Sequence, residues 1–143
     1  GVMSKDLSRR EQGLRAYASQ LGMSEAEVEE YFVSTFGEVF AEEAFQATGG
    51  AAWGDGPLSL RERSLIVIAI LASLGGVEQR LVGHVRWAID HGATPDEVRS
   101  AMTLVANYAG FARASVGMEV ANRELDRLDG SSDAVETSWR ERW

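Results

Sequence analysis

Cysteine is absent from the 143-residue sequence. The chain therefore has no disulfide framework, no thiolate zinc site, no CxxC redox pair and no cysteine nucleophile. Proline is also scarce, since only Pro57 and Pro95 interrupt the sequence. Because no alternating Val/Ile/Thr-rich segment lies between turn signals, strands are not favoured and the pattern predicts an all-α fold.

Basic residues are the minority among the charges. Fourteen Lys and Arg stand against 22 Asp and Glu, which gives a net charge of −8. This field repels phosphate backbones and anionic lipid, so neither nucleic acid nor a membrane is expected as a partner. The longest apolar run, Leu65 to Ala72, is far shorter than the ~20 residues of a membrane-spanning helix. We expect a soluble, cytoplasmic protein.

The length predicts one domain with a core of ordinary size. We divide it into an N-terminal helical segment at residues 3–50, a helical core at 51–128 and a polar tail at 129–143, in which Trp139 and Trp143 could dock on a neighbour. Gly1 and Val2 precede Met3 and are interpreted as a cloning remnant, and no apolar signal-peptide core follows them.

Capping boxes mark three helix starts, where a hydroxyl caps the N3 amide and a glutamate returns to the N-cap amide. They are Ser24 with Glu27, Ser59 with Glu62 and Thr94 with Glu97. With the apolar spacing they predict about six helices: Ser8–Leu21, Ser24–Phe40, a helix opened by Ser59, Val77–His91, a helix opened by Thr94 and a last helix after Gly110. The helix after Ser59 is apolar on every side, which is expected of an element covered by other helices or by a partner subunit.

The segment from Thr48 to Pro57 contains four glycines and a proline, and is predicted to be a loop. It includes Trp53. A large aromatic residue in a glycine-rich loop acts as a plug that holds the loop on the core more often than as a platform for substrate. Both roles are kept for Trp53.

Only two histidines are present, His84 and His91, seven residues apart on one predicted helix. They share a stripe, but an axial separation of roughly 10 Å is too long for both to ligate one metal. No metal site is therefore expected. His91 is interpreted as a cap at the helix end, where a protonated imidazole favours the dipole. For His84, the residues alone allow a hydrogen-bonded core histidine as well as a functional one.

Several charged or polar residues are candidates for lining a ligand pocket. Arg80 shares the helix face of His84, whereas Arg86 lies two residues after His84 and on another face. Both arginines are candidates for binding a substrate carboxylate. The alternative is that they are solvated or form ion pairs with Glu78 and Asp90. Glu62 is either a capping residue or a site residue. Tyr108 and Arg113 bracket Gly110, where one predicted helix ends and another begins, and such junctions line pockets.

Four sequence blocks between Trp53 and Leu125 together resemble the carboxymuconolactone decarboxylase family. They are the RERSL helix, the LxxHVRxA helix, the GxTxxE turn and the YxGF junction. The resemblance implies an all-α fold around a helical hairpin that assembles as a homo-oligomer, a trimer or a hexamer. Related peroxidase members carry a CxxC before the histidine, and Val77 and Arg80 occupy those places here, which excludes thiol chemistry.

The decarboxylase branch of the family implies a cofactor-free carboxy-lyase acting on a small anionic lactone of aromatic catabolism. Carried over, His84 is the proton donor, Glu62 a second catalytic residue, and Arg80, Arg86, Trp53, Tyr108 and Arg113 are substrate-binding candidates. An isomerase or hydrolase using the same pocket is one alternative, and a non-catalytic binding or accessory oligomer is another.

Two positions depart from the family pattern. The usual Pro-Ala-Ala-Asn run after the junction is replaced by residues 112–115, Ala-Arg-Ala-Ser, which adds a cation at Arg113. Trp87 occupies a place that usually holds a small residue. If both face the pocket, they shrink or recharge it, and the substrate differs from γ-carboxymuconolactone.

Overall fold

Helices account for nearly all of the secondary structure in the computed structural model, which describes residues 7–130. Within this range there are seven α-helices, one π-helix and no strand, so the predicted all-α class is confirmed. The interpretation of Gly1-Val2 and the expected docking of Trp139 and Trp143 lie outside the described residues. The described part of the chain forms two compact units, which divide between Leu58 and Ser59.

The first unit contains four helical elements. They are α1 (Arg9–Leu21), α2 (Glu25–Phe36), α3 (Glu38–Glu43) and a π-helix (Ala44–Trp53). Its core is built around Phe32, whose ring lies 4.6 Å from that of Tyr17 and 5.4 Å from that of Phe45. On the surface, Arg10 bridges Glu29 and Glu42 at 2.6 and 3.0 Å.

Two sequence predictions for this unit were wrong. The helix predicted from Ser24 to Phe40 ends at Phe36, because Gly37 adopts a φ of +88° and α3 begins after it. The segment predicted as a loop from Thr48 to Pro57 is helical as far as Trp53, which is buried at 8% exposure. Only the residues that follow connect the two units as irregular chain.

The glycines in that segment serve packing rather than turning. A Cβ on Gly49 would lie 2.6 Å from the Cα of Gly13 in α1, one on Gly50 would collide with the Arg9 carbonyl, and one on Gly13 would collide with the Phe45 carbonyl. The π-helix and α1 therefore touch backbone to backbone, which glycine alone permits. This close contact explains why Gly49 and Gly50, which have low helix propensity, lie inside a helix.

The second unit contains α4 (Leu60–Leu74), α5 (Glu78–Asp90), α6 (Pro95–Tyr108) and α7 (Phe111–Asp129). Both predicted capping boxes are present, with Ser59 and Thr94 accepting from the Glu62 and Glu97 amides at 3.1 Å. Gly75 and Gly76, with φ near +70°, turn α4 into α5 and complete the helical hairpin. A shared core joins the four helices through Ile68, Val85, Val98, Met102 and Ala121, among others.

One face of α4 stays open to solvent in the isolated chain. Ile68 and Ala72 point into the core, whereas Ile66, Ile70 and Leu74 are each about half exposed. Within residues 7–130, no helix has the length and apolarity that crossing a membrane requires.

Candidate functional site

Three aromatic rings form a row along α5. His84, Trp87 and His91 are spaced three and four residues apart, which places them on one side of a helix. The ring centroids of His84 and Trp87 are 5.8 Å apart, and those of Trp87 and His91 are 4.6 Å apart. Trp87 lies in the interior at 4% exposure. Both histidines are half-buried, so the row runs along the edge of the core.

His91 ties the end of α5 to the start of α4. Its Nδ1 lies 2.8 Å from Oγ of Ser64, which is fully buried, and the ring also hydrogen-bonds to the Leu60 carbonyl. Burial lowers the pKa of His91 below its usual 6.5, against opposing effects of Asp90 and the Leu60 carbonyl. His91 is the C-cap residue of α5, so the predicted cap is confirmed. Its lowered pKa disfavours the imidazolium that would complement the helix dipole.

The neutral form of His84 is favoured more strongly than that of His91. Burial, followed by repulsion from Arg80 and His91, lowers its pKa from 6.5 to about 4. At pH 7, only about one molecule in a thousand then carries an imidazolium at this position. The cation that contributes, Arg80, is an exposed side chain one helical turn before His84.

A cavity of about 470 Å³ lies where the hairpin turn meets the start of α7. Its wall is mainly apolar and rich in small residues: Leu71, Ala72, Leu74, Gly75, Gly76, Val77, Glu78, Leu81, Ala112, Arg113, Val116 and Gly117. Its volume is within the range of small-molecule pockets. Arg113 and Glu78 supply the charged groups.

Arg113 fixes the shape of this cavity. Its Nη1 donates to the carbonyl of Ser73 at 2.9 Å and to that of Leu74, the last turn of α4. A guanidinium has five donors, so this clamp leaves Nε and Nη2 for a ligand. A Cβ on Gly75 would lie 3.2 Å from Nη1, so glycine at this position gives the guanidinium room.

The register of the hairpin brings His84 to the level of this cavity. Because Ser64 lies opposite His91, His84 lies at roughly the level of Leu71, counting seven residues along each antiparallel helix. Leu71 and Leu81 both line the cavity, although among the described residues its lining does not include His84 itself. A second cavity of about 370 Å³, between α4 and α6, is also lined by other residues.

The remaining predicted site residues are dispersed. Glu62 is exposed and accepts the Ser59 amide at 2.8 Å, and this hydrogen bond keeps its pKa low. It belongs to the far end of the hairpin from the cavity, since it lies beyond the level of His91. Arg86 is exposed, and Tyr108 is 90% exposed at the end of α6. Trp53 is part of the first unit.

The role of Ser64 was not found from the sequence. It falls within the RERSL block, but nothing in that block indicates a hydrogen bond to a histidine 27 residues later. The spacing of His84, Trp87 and His91 was a readable signal, because i, i+3 and i+7 share a helix face. Sequence reasoning used it for the two histidines and treated Trp87 as a bulky substitution.

These observations define a cysteine-free, all-α helical-hairpin domain that carries a neutral, half-buried histidine on α5 and a small apolar cavity at the hairpin turn. Within residues 7–130, no group of three or more His, Asp or Glu side chains is placed to hold a metal ion.

Comparison with known proteins gives the family. The sequence profile of the carboxymuconolactone decarboxylase family matches residues 41–123, more than half of the chain. The chain belongs to this family. It is also 28% identical over 130 residues to 4-carboxymuconolactone decarboxylase of Acinetobacter baylyi, covering 91% of this chain and 96% of that protein.

Proposed function

We propose that this protein is a cofactor-free carboxy-lyase that releases CO₂ from a small carboxylated lactone. The observation that carries the proposal is a neutral, half-buried histidine on the same helical hairpin as an apolar cavity bearing a guanidinium, in a chain of the decarboxylase family. The relative in Acinetobacter baylyi is named for 4-carboxymuconolactone, which makes that compound the first substrate to test. Aromatic catabolism in the cytoplasm is the proposed setting.

In this proposal, the cavity takes the lactone ring and Arg113 takes the carboxylate that the substrate retains. An apolar wall suits the ring, and the free edge of a guanidinium suits a carboxylate. The same wall weakens hydration of the carboxylate that leaves, which favours loss of its charge as neutral CO₂.

The bond between carbon and the departing carboxylate breaks with its electron pair left on the ring. The pair spreads through the C=C bond into the lactone carbonyl as a dienolate, and a proton must then be added to carbon. His84 is the proposed donor. Since its pKa is about 4, the imidazole takes up this proton from solvent when the substrate binds, because the negative charge of the substrate favours the imidazolium.

The low pKa also makes the transfer downhill. Once CO₂ has left and the dienolate has accepted the proton, His84 returns to the neutral form that its surroundings favour. Arg80, an exposed cation one helical turn before His84, is the second proposed partner for the carboxylate that the substrate retains. Glu62, Arg86, Tyr108 and Trp53 remain predictions as site residues.

A homo-oligomer, a trimer or hexamer, is part of the proposal. The exposed apolar residues of the second unit include Ile66 and Ile70 on α4 and, around the junction of α6 and α7, Leu104, Tyr108 and Phe111. Monomeric proteins expose few such side chains together, and subunit burial stabilises them. In such an assembly, the exposed side chain of Tyr108 would be able to reach the substrate site of a neighbouring subunit.

The decisive experiment measures CO₂ release from 4-carboxymuconolactone by the purified protein and its His84→Gln variant. We expect turnover by the native chain and a loss of at least ~100-fold in the variant, the usual size of a general-acid contribution. Arg113→Gln is expected to raise KM. Arg15→Gln, which removes an exposed cation from α1, is the charge-matched control and is expected to leave turnover unchanged.

A non-catalytic binding scaffold is the second candidate function. It is favoured by the dispersal of Glu62, Arg86 and Tyr108 on the exposed surface. Binding of the lactone without CO₂ release by the native chain would support it and exclude the lyase. Turnover that survives His84→Gln undiminished would remove the histidine from the mechanism.

A further inference from the structure

We infer that Trp87 and His91 are positioning residues, whose rings hold the imidazole of His84 in place from an anchor on α4. The inference rests on the proposed function, in which His84 transfers a proton. It assigns a role to Trp87, a buried tryptophan in the middle of the histidine helix.

The anchored end of the row is His91. Its ring is hydrogen-bonded to Ser64 at 2.8 Å and to the Leu60 carbonyl, both on α4. Ser64 is fully buried, so this contact is shielded from water. A ring held by two groups of a neighbouring helix has little freedom to rotate, and it provides a fixed surface for the next residue.

Trp87 transmits this constraint. Its indole packs against His91 at 4.6 Å and against His84 at 5.8 Å, with ring planes tilted by 45° and 53°. Both centroid distances lie in the range of favourable ring pairs. At 4% exposure, the indole is enclosed by its neighbours and cannot swing into solvent. The imidazole of His84 therefore has a rigid wall on the side that faces along α5 towards His91.

The wall matters because proton transfer to carbon depends on placement. A misplacement of about 1 Å in a reacting group can cost ~100-fold in rate. A smaller residue at position 87 would leave an unfilled volume beside His84, into which the imidazole could turn. Trp87 thus restricts the rotation of the imidazole. It also closes that side to substrate, so the substrate must approach His84 from the opposite side.

The test compares Trp87→Leu, Trp87→Phe and Ser64→Ala with the native chain in two measurements. The first is kcat and KM on 4-carboxymuconolactone. The second is the position and line width of the His84 Cε1–H and ring ¹⁵N signals in NMR, which need no turnover. Phe32→Leu, which truncates a buried aromatic ring in the first unit, controls for loss of stability alone.

We expect Trp87→Leu to lower kcat by ~10–100-fold with KM changed less than threefold, and to broaden or shift the His84 signals. Trp87→Phe keeps a ring at this position and is expected to restore kcat to within about fivefold. Ser64→Ala is expected to act in the same direction by releasing His91. It serves as the milder perturbation if Trp87→Leu does not fold. Phe32→Leu is expected to change neither kcat nor the His84 signals.

A folded Trp87→Leu or Ser64→Ala variant with native kcat and unmoved His84 signals overturns the inference. If the native chain releases no CO₂, the proposed function fails, but the NMR comparison still decides whether the row of rings holds His84. An unchanged His84 spectrum in both variants would then reject the positioning role as well.

Discussion

The lowered pKa of His84 makes the stability of the protein depend on pH in a way that one substitution can isolate. In the unfolded chain the imidazole titrates near 6.5, whereas in the folded chain its pKa is about 4. Between these values the unfolded state binds a proton that the folded state does not, so the free energy of unfolding falls as the pH falls. The contribution of His84 is complete above pH 6.5 and is lost as the pH approaches 4.

The size follows from the two pKa values. A difference of about 2.5 units corresponds to ~3 kcal/mol in full, and integration from pH 7.5 to pH 5 gives ~2 kcal/mol. These are upper limits, because water reaches part of the ring and weakens the effects of Arg80 and His91.

The assay is urea unfolding of the native chain and of His84→Gln at pH 7.5, 6 and 5, with the free energy of unfolding taken from the linear extrapolation. Acidic side chains titrate in both proteins, so the difference between the two curves isolates His84. We expect native stability to fall by ~2 kcal/mol more than that of the variant. His91→Gln, which keeps His84, is expected to retain most of this dependence, because burial is the largest cause of the lowered pKa of His84. Parallel curves for the native chain and His84→Gln would refute the account of a buried, neutral imidazole.

Two further predictions concern packing and assembly. Gly13→Ala is expected to destabilise the chain by about 3 kcal/mol or more, because its Cβ would collide with the Phe45 carbonyl. Gly83→Ala in α5, whose Cβ would have nothing within 4 Å, is expected to stabilise the chain by about 0.5–1 kcal/mol. Equal urea midpoints for the two variants would contradict the packing analysis. Light scattering after size-exclusion chromatography is expected to give the native protein a mass several times 15.6 kDa. The Ile70→Glu variant is expected to have a smaller mass, and a monomeric native protein would contradict the proposed assembly.

The sequence predicted the helices of the second unit well because their signals are local. Ser59, Thr94 and Pro95 mark helix starts through hydrogen bonds and a fixed φ within four residues, and Gly75 and Gly76 mark the turn. The Ser24 capping box succeeded for the same reason. Where a boundary depended on one residue's conformation, at Gly37, the spacing of apolar residues misled, since it continues across the break.

The glycine-rich segment was misread because its cause is tertiary. Nothing near Gly49 or Gly50 in the sequence reveals that α1 approaches them within van der Waals distance, so their composition indicated a loop. The candidate site shows the same difference between features set by local sequence and features set by tertiary contacts. The face shared by His84 and Arg80 was readable from spacing, but the buried Ser64 and the carbonyls held by Arg113 depend on how helices meet.

The crossing of α1 with the π-helix has a consequence for how this family member can vary. Where two backbones touch with no side chain between them, a substitution that introduces bulk leaves neighbouring rotamers nothing to rearrange. Second-site suppressors of such changes should therefore not arise among the surrounding side chains. Positions 13, 49 and 50 are therefore expected to remain glycine, in contrast to the core around Phe32, where one ring can become smaller as another becomes larger.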